Sequence, residues 1–196
     1  MTNSEKILSL AKHNNGYITN KRVKAMGLST RYLTDLVKSN KIERVKSGLY
    51  IGADNISDEF FEIPYNTSGV FSHTTALYLH NLADRTPVKF DITVANDYKG
   101  SLQNNKKVNL FYVKKTLHTL GRTEIKSPQG SPVKVYDIER TICDIIRNEK
   151  RIETEIFISA LQKYARCKNK KLNLLLKYSS LLGISGKVED KLRILL

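Results

Sequence analysis

The chain is poor in cysteine, proline and acid, and it has no long apolar run. Its 196 residues include two cysteines, four prolines, and 19 Asp and Glu against 33 Lys and Arg. Cys143 and Cys167 have neither a CxxC spacing nor a histidine pair nearby. That excludes a disulfide framework and a structural zinc site, and it fits a reducing compartment. No stretch approaches the roughly eighteen apolar residues of a membrane span. The first sixteen residues are too polar, and their apolar part too short, for a secretory signal, so the expected location is cytoplasmic. No glycine loop is built to cradle phosphate, because Gly183-Ile184-Ser185-Gly186 reads as a helix connector. Internal repeats are missing, and only Lys168-Asn169-Lys170-Lys171 is of low complexity. The shortage of acid leaves a formal net charge of +14 and a pI of about 9.7. Such an excess points first to a nucleic-acid partner, with a membrane surface as the competitor.

The most structured pattern lies in the first fifty residues. Ile7, Leu8, Leu10 and Ala11 recur at helical spacing over residues 4–14, and Gly16 follows as a stop. Thr19 can cap a second short helix carrying Val23 and Met26, and Gly27 permits the turn after it. Ser29 can cap a third helix over residues 30–39 that buries Leu33, Leu36 and Val37. Its other face offers Thr30, Arg31, Tyr32, Thr34 and Lys38, side chains able to reach base edges or phosphates. Two short β-type runs, residues 42–45 and 49–51, flank Lys46-Ser47-Gly48 and predict a hairpin. The whole predicts a winged helix-turn-helix over residues 1–54. Its predicted DNA contacts are Ser29, Thr30, Arg31, Tyr32, Thr34 and Lys38 on the third helix, with Arg44 and Lys46 on the wing. Residues 1–54 hold ten Lys and Arg against four Asp and Glu, a balance of +6.

Small polar residues after Ile51 place a boundary near residue 55, and residues 55–196 are expected to form a second, larger domain. Ser72 is a natural cap for a helix burying Ala76, Leu77, Leu79 and Leu82. Residues 90–94 and 108–113 alternate as strands around an exposed lysine-rich loop, and residues 123–126 and 133–136 flank a long turn. Four helical patterns follow. One carries Ile138, Ile142, Ile145 and Ile146 with Asp137 as cap; the next carries Ile156, Phe157, Ala160, Leu161 and Tyr164. The third carries Leu172, Leu175, Leu176 and Leu181, and the last Val188, Leu192 and Leu195. The fold class is α+β: a winged helix-turn-helix, then a mixed domain with a small β-sheet and a C-terminal helical bundle.

Little in the second domain suggests catalysis. Ser72-His73 has the composition of a nucleophile and base, yet adjacent residues at a helix start point apart, and no third group is evident. His80 and His118 have no ligand spacing with His73. Asp91 with Asp97-Tyr98-Lys99 is a weak match to a metal-dependent nuclease. Glu139, Arg140 and Asp144 read as a structural network. The basic residues of the last helices, from Lys150 to Lys191, could add a nucleic-acid surface. No enzyme activity, cofactor or metal is expected, and a small DNA-targeted nuclease and a toxin-sequestering adaptor stand as the alternatives.

Three blocks together carry a family resemblance. They are Arg44-Val45-Lys46-Ser47-Gly48-Leu49-Tyr50-Ile51, Phe71-Ser72-His73-Thr74-Thr75-Ala76-Leu77, and Glu139-Arg140-Thr141-Ile142-Cys143-Asp144. In these the chain resembles the AbiEi antitoxins of bacterial type IV toxin–antitoxin, abortive-infection systems. The resemblance implies a winged helix that binds inverted repeats in the promoter of its own operon and represses it. It also implies a C-terminal domain that supports DNA binding and supplies antitoxin activity. The functional partner it implies is a nucleotidyltransferase-like toxin, opposed without a stable complex. The expected state is a monomer in solution, with two copies on DNA.

Overall fold

The computed structural model describes residues 1–195, and side chains through Arg193. The fold is α+β and divides into two compact units.

The first unit comprises Met1–Tyr65 together with Lys126–Ser131. Its helices are α1 (Asn3–Lys12), α2 (Asn20–Ala25), α3 (Arg31–Lys38) and the single turn α4 (Glu59–Glu62). Its strands β1 (Tyr17–Thr19), β2 (Ile42–Lys46) and β3 (Leu49–Gly52) form an antiparallel sheet in the order β1-β3-β2. Local chemistry explains most boundaries. Thr2 and Glu5 close a capping box on α1, and Thr19 accepts from the Arg22 amide to cap α2. Gly27 takes φ +71° in the turn between α2 and α3. Ile7, Ala11, Ile18, Val23, Leu33, Leu36 and Ile42 pack as one core. The short β1 was not predicted: Tyr17 and Ile18 are buried because they pair with Ile51 and Tyr50.

Residues 53–65 fold back over the sheet. Asp58 caps α4, and Tyr17, Phe61 and Tyr65 stack behind the strands, with ring centroids 4.6 and 5.9 Å apart. The Tyr17 hydroxyl accepts from the Asp58 amide and donates to Glu62 Oε1, both at 2.7 Å. Buried Asp58 also accepts from Ser127 Oγ at 2.6 Å.

The second unit comprises Asn66–Ile125 and Pro132–Leu196. Its strands are β4 (Val70–Phe71), β5 (Phe90–Ala95), β6 (Val108–Val113), β7 (Arg122–Lys126) and β8 (Pro132–Tyr136), in the order β6-β5-β4-β8-β7. The sheet is mixed, because β5 runs parallel to β6 and β4 parallel to β8, while β4 and β5 are antiparallel. Helices α5 (His73–Leu79), α6 (Lys115–His118), α7 (Ile138–Arg147), α8 (Thr154–Arg166), α9 (Leu172–Leu181) and α10 (Ser185–Leu195) complete it. Among the described residues no helix is long and apolar enough to cross a membrane.

Helix α7 lies at the centre of this unit, with every residue from Glu139 to Ile146 buried. Its isoleucines join Leu77, Phe157, Leu161, Tyr164, Leu175 and Val188 in one core. Across α9 and its C-cap residue the buried face is Leu175, Tyr178, Ser179 and Leu182, at i, i+3, i+4 and i+7. Leu176 and Leu181, expected inside, point outward at 41% and 51% exposure because the helix turns them off that face. The expected side chain of Leu195 lies outside the described residues.

The most costly groups in this core are charged. Arg140 Nε donates to both Asp144 carboxylate oxygens, at 3.0 and 3.1 Å, and Nη1 donates to the carbonyls of Leu117 and Leu120. Its guanidinium carbon lies 4.4 Å from the Tyr136 ring centroid. Burial pushes the Asp144 carboxyl up to about 6, against the pull of Arg140. Removing one partner strands the other charge in the core. Asp144→Ala should therefore lower stability by about 3–5 kcal/mol in urea unfolding at pH 7.5. Asp84→Ala, which breaks an exposed pair with Lys163, should cost no more than about 1 kcal/mol in the same assay.

Candidate nucleic-acid interface

Helix α3 has a sharp division of faces. Leu33 and Leu36 are fully buried, Val37 half-buried, and Arg31, Thr34, Asp35 and Lys38 exposed. Arg31, Thr34 and Lys38 follow at i, i+3 and i+7, so they share one edge of the helix. Ser29 Oγ accepts from the Arg31 amide at 3.2 Å and orders the entry to this edge. Thr30 is the N-cap residue, but its side chain makes no cap bond. Tyr32 turns toward α1 instead: its ring is half-buried against the core, and its hydroxyl accepts from Asn3 Nδ2 at 3.0 Å.

The hairpin of β2 and β3 is fixed from behind. Tyr65 donates its hydroxyl to the Gly48 carbonyl in the hairpin turn, at 3.3 Å. Lys46 donates Nζ to the carbonyls of Glu62 and Ile63, the latter at 2.9 Å, and burial pulls its ammonium below the usual lysine range. Arg44 remains exposed. In a regular strand Arg44 and Lys46 would share a face, but the pairing with β3 shifts between them. This bulge re-aims the chain, so one cation faces solvent and the other is tied to the end of α4. Of the residues predicted for contact, Ser29, Arg31, Thr34, Lys38 and Arg44 are therefore exposed, Thr30 is half-exposed, and Tyr32 and Lys46 are held by the protein itself. Lys21, Arg22 and Lys24 on α2 are also exposed. The short α2 has no apolar stripe sharp enough to mark them as an outward face in the sequence.

The second unit contains a buried polar cluster at the Ser72-His73 block. Strand β5 is buried along its whole length, so the polar positions of its alternation, Asp91 and Thr93, are buried as well. Ser72 occupies the N-cap position of α5, but its side chain makes no cap bond. The capping acceptor is Asp91. Its Oδ2 accepts from the Thr74 amide at 3.0 Å and from the Thr74 hydroxyl, and its Oδ1 accepts from Asn109 Nδ2 at 3.0 Å. Thr93 Oγ1 donates to Ser72 Oγ at 2.8 Å. His73 adopts φ +46° and is held there by contacts on all sides. Its Nδ1 lies 2.9 Å from Ser72 Oγ, its Nε2 lies 3.0 Å from Asn148 Nδ2, and its ring stacks on Phe111 with centroids 3.6 Å apart.

These contacts fix the tautomer. Asn148 Nδ2 also donates to the Asp144 carbonyl, so it meets His73 as a donor and Nε2 must accept. Nδ1 then carries the proton and donates to Ser72. Burial holds the ring well below the ordinary histidine range, with Arg151, Arg140 and Arg147 adding to the effect. An imidazole already protonated toward the hydroxyl cannot take the hydroxyl proton, so the pair is not poised as a nucleophile and base. Asp97, the other acid of the weak nuclease pattern, lies in an exposed ion pair with Lys115 at 3.6 Å. Among the described residues no group of three or more His, Cys, Asp and Glu could hold a metal ion.

Residues 5–51 match the family model of the AbiEi antitoxin transcriptional regulators. That segment takes in most of α1, all of α2 and α3, and all but the last residue of the hairpin. No curated protein matches the chain. The fold is similar to the crystal structure of the RV2827C protein from Mycobacterium tuberculosis, with a TM-score of 0.60 and 13% identity over 100% of this chain and 81% of that one. At that identity the likeness bears on fold alone.

The tautomer is directly measurable. In a long-range nitrogen–proton correlation spectrum, His73 should show protonated Nδ1 and unprotonated Nε2, unchanged from pH 8 down to pH 6. A ring that gains a proton near its ordinary value of about 6.5 would contradict the assignment.

Proposed function

We propose that the chain is a DNA-binding antitoxin of a bacterial type IV toxin–antitoxin system and a repressor of its own operon. The observation that carries this reading is the exposed Arg31–Thr34–Lys38 edge beside an anchored hairpin, inside the segment matched to AbiEi regulators. The first unit acts as a winged helix-turn-helix. Helix α3 enters the major groove, where Arg31 reads a guanine or grips a phosphate and Ser29, Thr30 and Thr34 make shorter contacts. Lys38 takes the backbone, and Arg44 on the wing takes an adjacent phosphate or the minor groove. Lys46 and Tyr32 act indirectly, one by fixing the wing and the other by seating α3 against α1.

The operator is an inverted repeat in the promoter, and two copies of a protein that is monomeric in solution occupy its half-sites. Exposed cations of the second unit, among them Lys150, Lys168, Lys171 and Lys187, add phosphate contacts. The second unit supplies the antitoxin activity, acting in the cytoplasm against a nucleotidyltransferase-like toxin without a stable complex.

The test is a gel-shift titration of the full chain with DNA from upstream of its own gene, beside random DNA of equal length. The expected result is two successive shifts on the upstream DNA only. Equal, salt-sensitive binding to both would overturn the repressor role. Arg31→Ala should cost about 1–3 kcal/mol on the operator, with a smaller loss on random DNA. Arg44→Ala should reduce the slope of log affinity against log salt by about 0.9, whereas Lys46→Met should leave that slope unchanged.

A further inference from the structure

The second unit contains a hollow that the DNA-binding reading does not use. It has a volume of about 360 Å3, within the range of small-molecule pockets. Its polar lining includes the cations Arg85, Lys89 and Arg151, the carboxylates Asp91 and Glu153, and Asn109 beside two threonines.

Arg151 is set up to bind an anion. Its guanidinium carbon lies 4.1 Å from the Phe111 ring centroid, and His73 stacks on the same ring at 3.6 Å. Two groups that close to one centroid must occupy opposite faces. Phe111 is thus sandwiched, and the guanidinium carbon is held over its outer face. Among the described residues the Arg151 side chain makes no hydrogen bond or ion pair, and although its charge acts on the Asp91 carboxyl, its fork of N–H donors is unused. Such a fork matches a phosphate in bidentate fashion. Lys89 on the same wall is likewise exposed and without a partner among the described residues. Arg85 meets Glu153 only at 3.9 Å, with both side chains largely exposed.

Away from the cations the lining changes character. Asp91 is occupied by Thr74 and Asn109, and it holds the Asn109 amide still. Asn109 gives one Nδ2 proton to Asp91, which leaves its carbonyl oxygen and its second amide proton for a ligand. A donor beside an acceptor on one rigid amide complements the hydrogen-bonding edge of a nucleobase. Ala83, Pro87 and Ile156 provide the apolar wall that a flat base would cover. Bare phosphate would use the cations and leave the amide and the wall idle.

We propose that this hollow binds a nucleoside monophosphate, with its phosphate on Arg151 and Lys89 and its base edge on Asn109. The reading is independent of the DNA-binding role of the first unit.

The test is calorimetric titration of the full chain with AMP, GMP, CMP and UMP in turn, with ribose 5-phosphate and inorganic phosphate as controls. At least one nucleotide should bind about tenfold tighter than ribose 5-phosphate, a difference of about 1.4 kcal/mol. Arg151→Gln should weaken that nucleotide about tenfold or more, and Asn109→Ala should remove the preference among bases. Thermal melts check that both variants are folded. As a measurement free of any variant, the Asn109 side-chain amide resonances of the unaltered protein should shift with the nucleotide and not with inorganic phosphate. The proposal is overturned if no nucleotide binds at millimolar concentration. It is also overturned if ribose 5-phosphate binds as tightly as every nucleotide, or if duplex DNA shifts the Asn109 amide while the nucleotides do not.

Discussion

The second unit depends on the buried pairing of Arg140 with Asp144. Removing two charges from water costs several kcal/mol per ion, and their attraction alone often fails to return it. What makes the arrangement viable is that Arg140 does more than neutralise one carboxylate. Its Nη1 satisfies two carbonyls at the end of α6, and its plane lies over Tyr136 of β8. Close by, Gly121 at φ +73° approaches so nearly that a side chain there would meet the Arg140 Cβ at 2.7 Å. One side chain thus joins the central helix to the end of α6, to β8 and to the turn entering β7. An apolar residue of equal volume could fill the space but would leave the two carbonyls buried without donors.

The two units deploy their polar groups differently. The first has a small apolar core and keeps its cations other than Lys46 outside, so its charge is on its surface. Its inward polar contacts, from Lys46, Tyr65 and Tyr17, hold the hairpin in place and leave Arg44 exposed. The second buries its polar residues in connected sets. Asp91 closes the start of α5 and immobilises Asn109, while His73 sits between Ser72, Asn148 and Phe111. Such sets rigidify what they touch when every member is satisfied. The tightest of them therefore reads as support for neighbouring side chains, not as a reacting centre.

Much of the architecture was legible in the sequence because it rests on local rules. The Thr19 and Asp137 caps, the Gly27 turn, the hairpin at Ser47-Gly48 and the Ile142–Ile145–Ile146 stripe all depend on residues a few positions apart. What escaped was non-local. Strand β4 is two residues long and gains its meaning from β5 and β8 on either side. The alternation over residues 90–94 marks a strand but not that β5 is covered on both faces, which draws the Asp91 carboxylate inward to Thr74. Arg44 and Lys46 looked equivalent, and only a bulge separates their roles. The candidate contacts on α3 were legible as a polar face. That Tyr32 belongs to Asn3, twenty-nine positions away, was not.

The first unit is not one continuous piece of chain. Its buried Asp58 carboxylate accepts from the Ser127 hydroxyl, 69 positions later, in a segment the sequence suggested was merely a turn. Ser131 from the same segment lies 3.4 Å from Asn15 through its hydroxyl. A chain cut after Tyr65 would keep every helix and strand of this unit yet lose the donor for a buried carboxylate, leaving it short of a partner in a dry site. The first unit is therefore not a detachable cassette. A gene fusion or recombination event that carried away only the N-terminal third would deliver the right residues on a weakened support. Inheritance of this unit's fold is thereby coupled to retention of the sequence around residue 130.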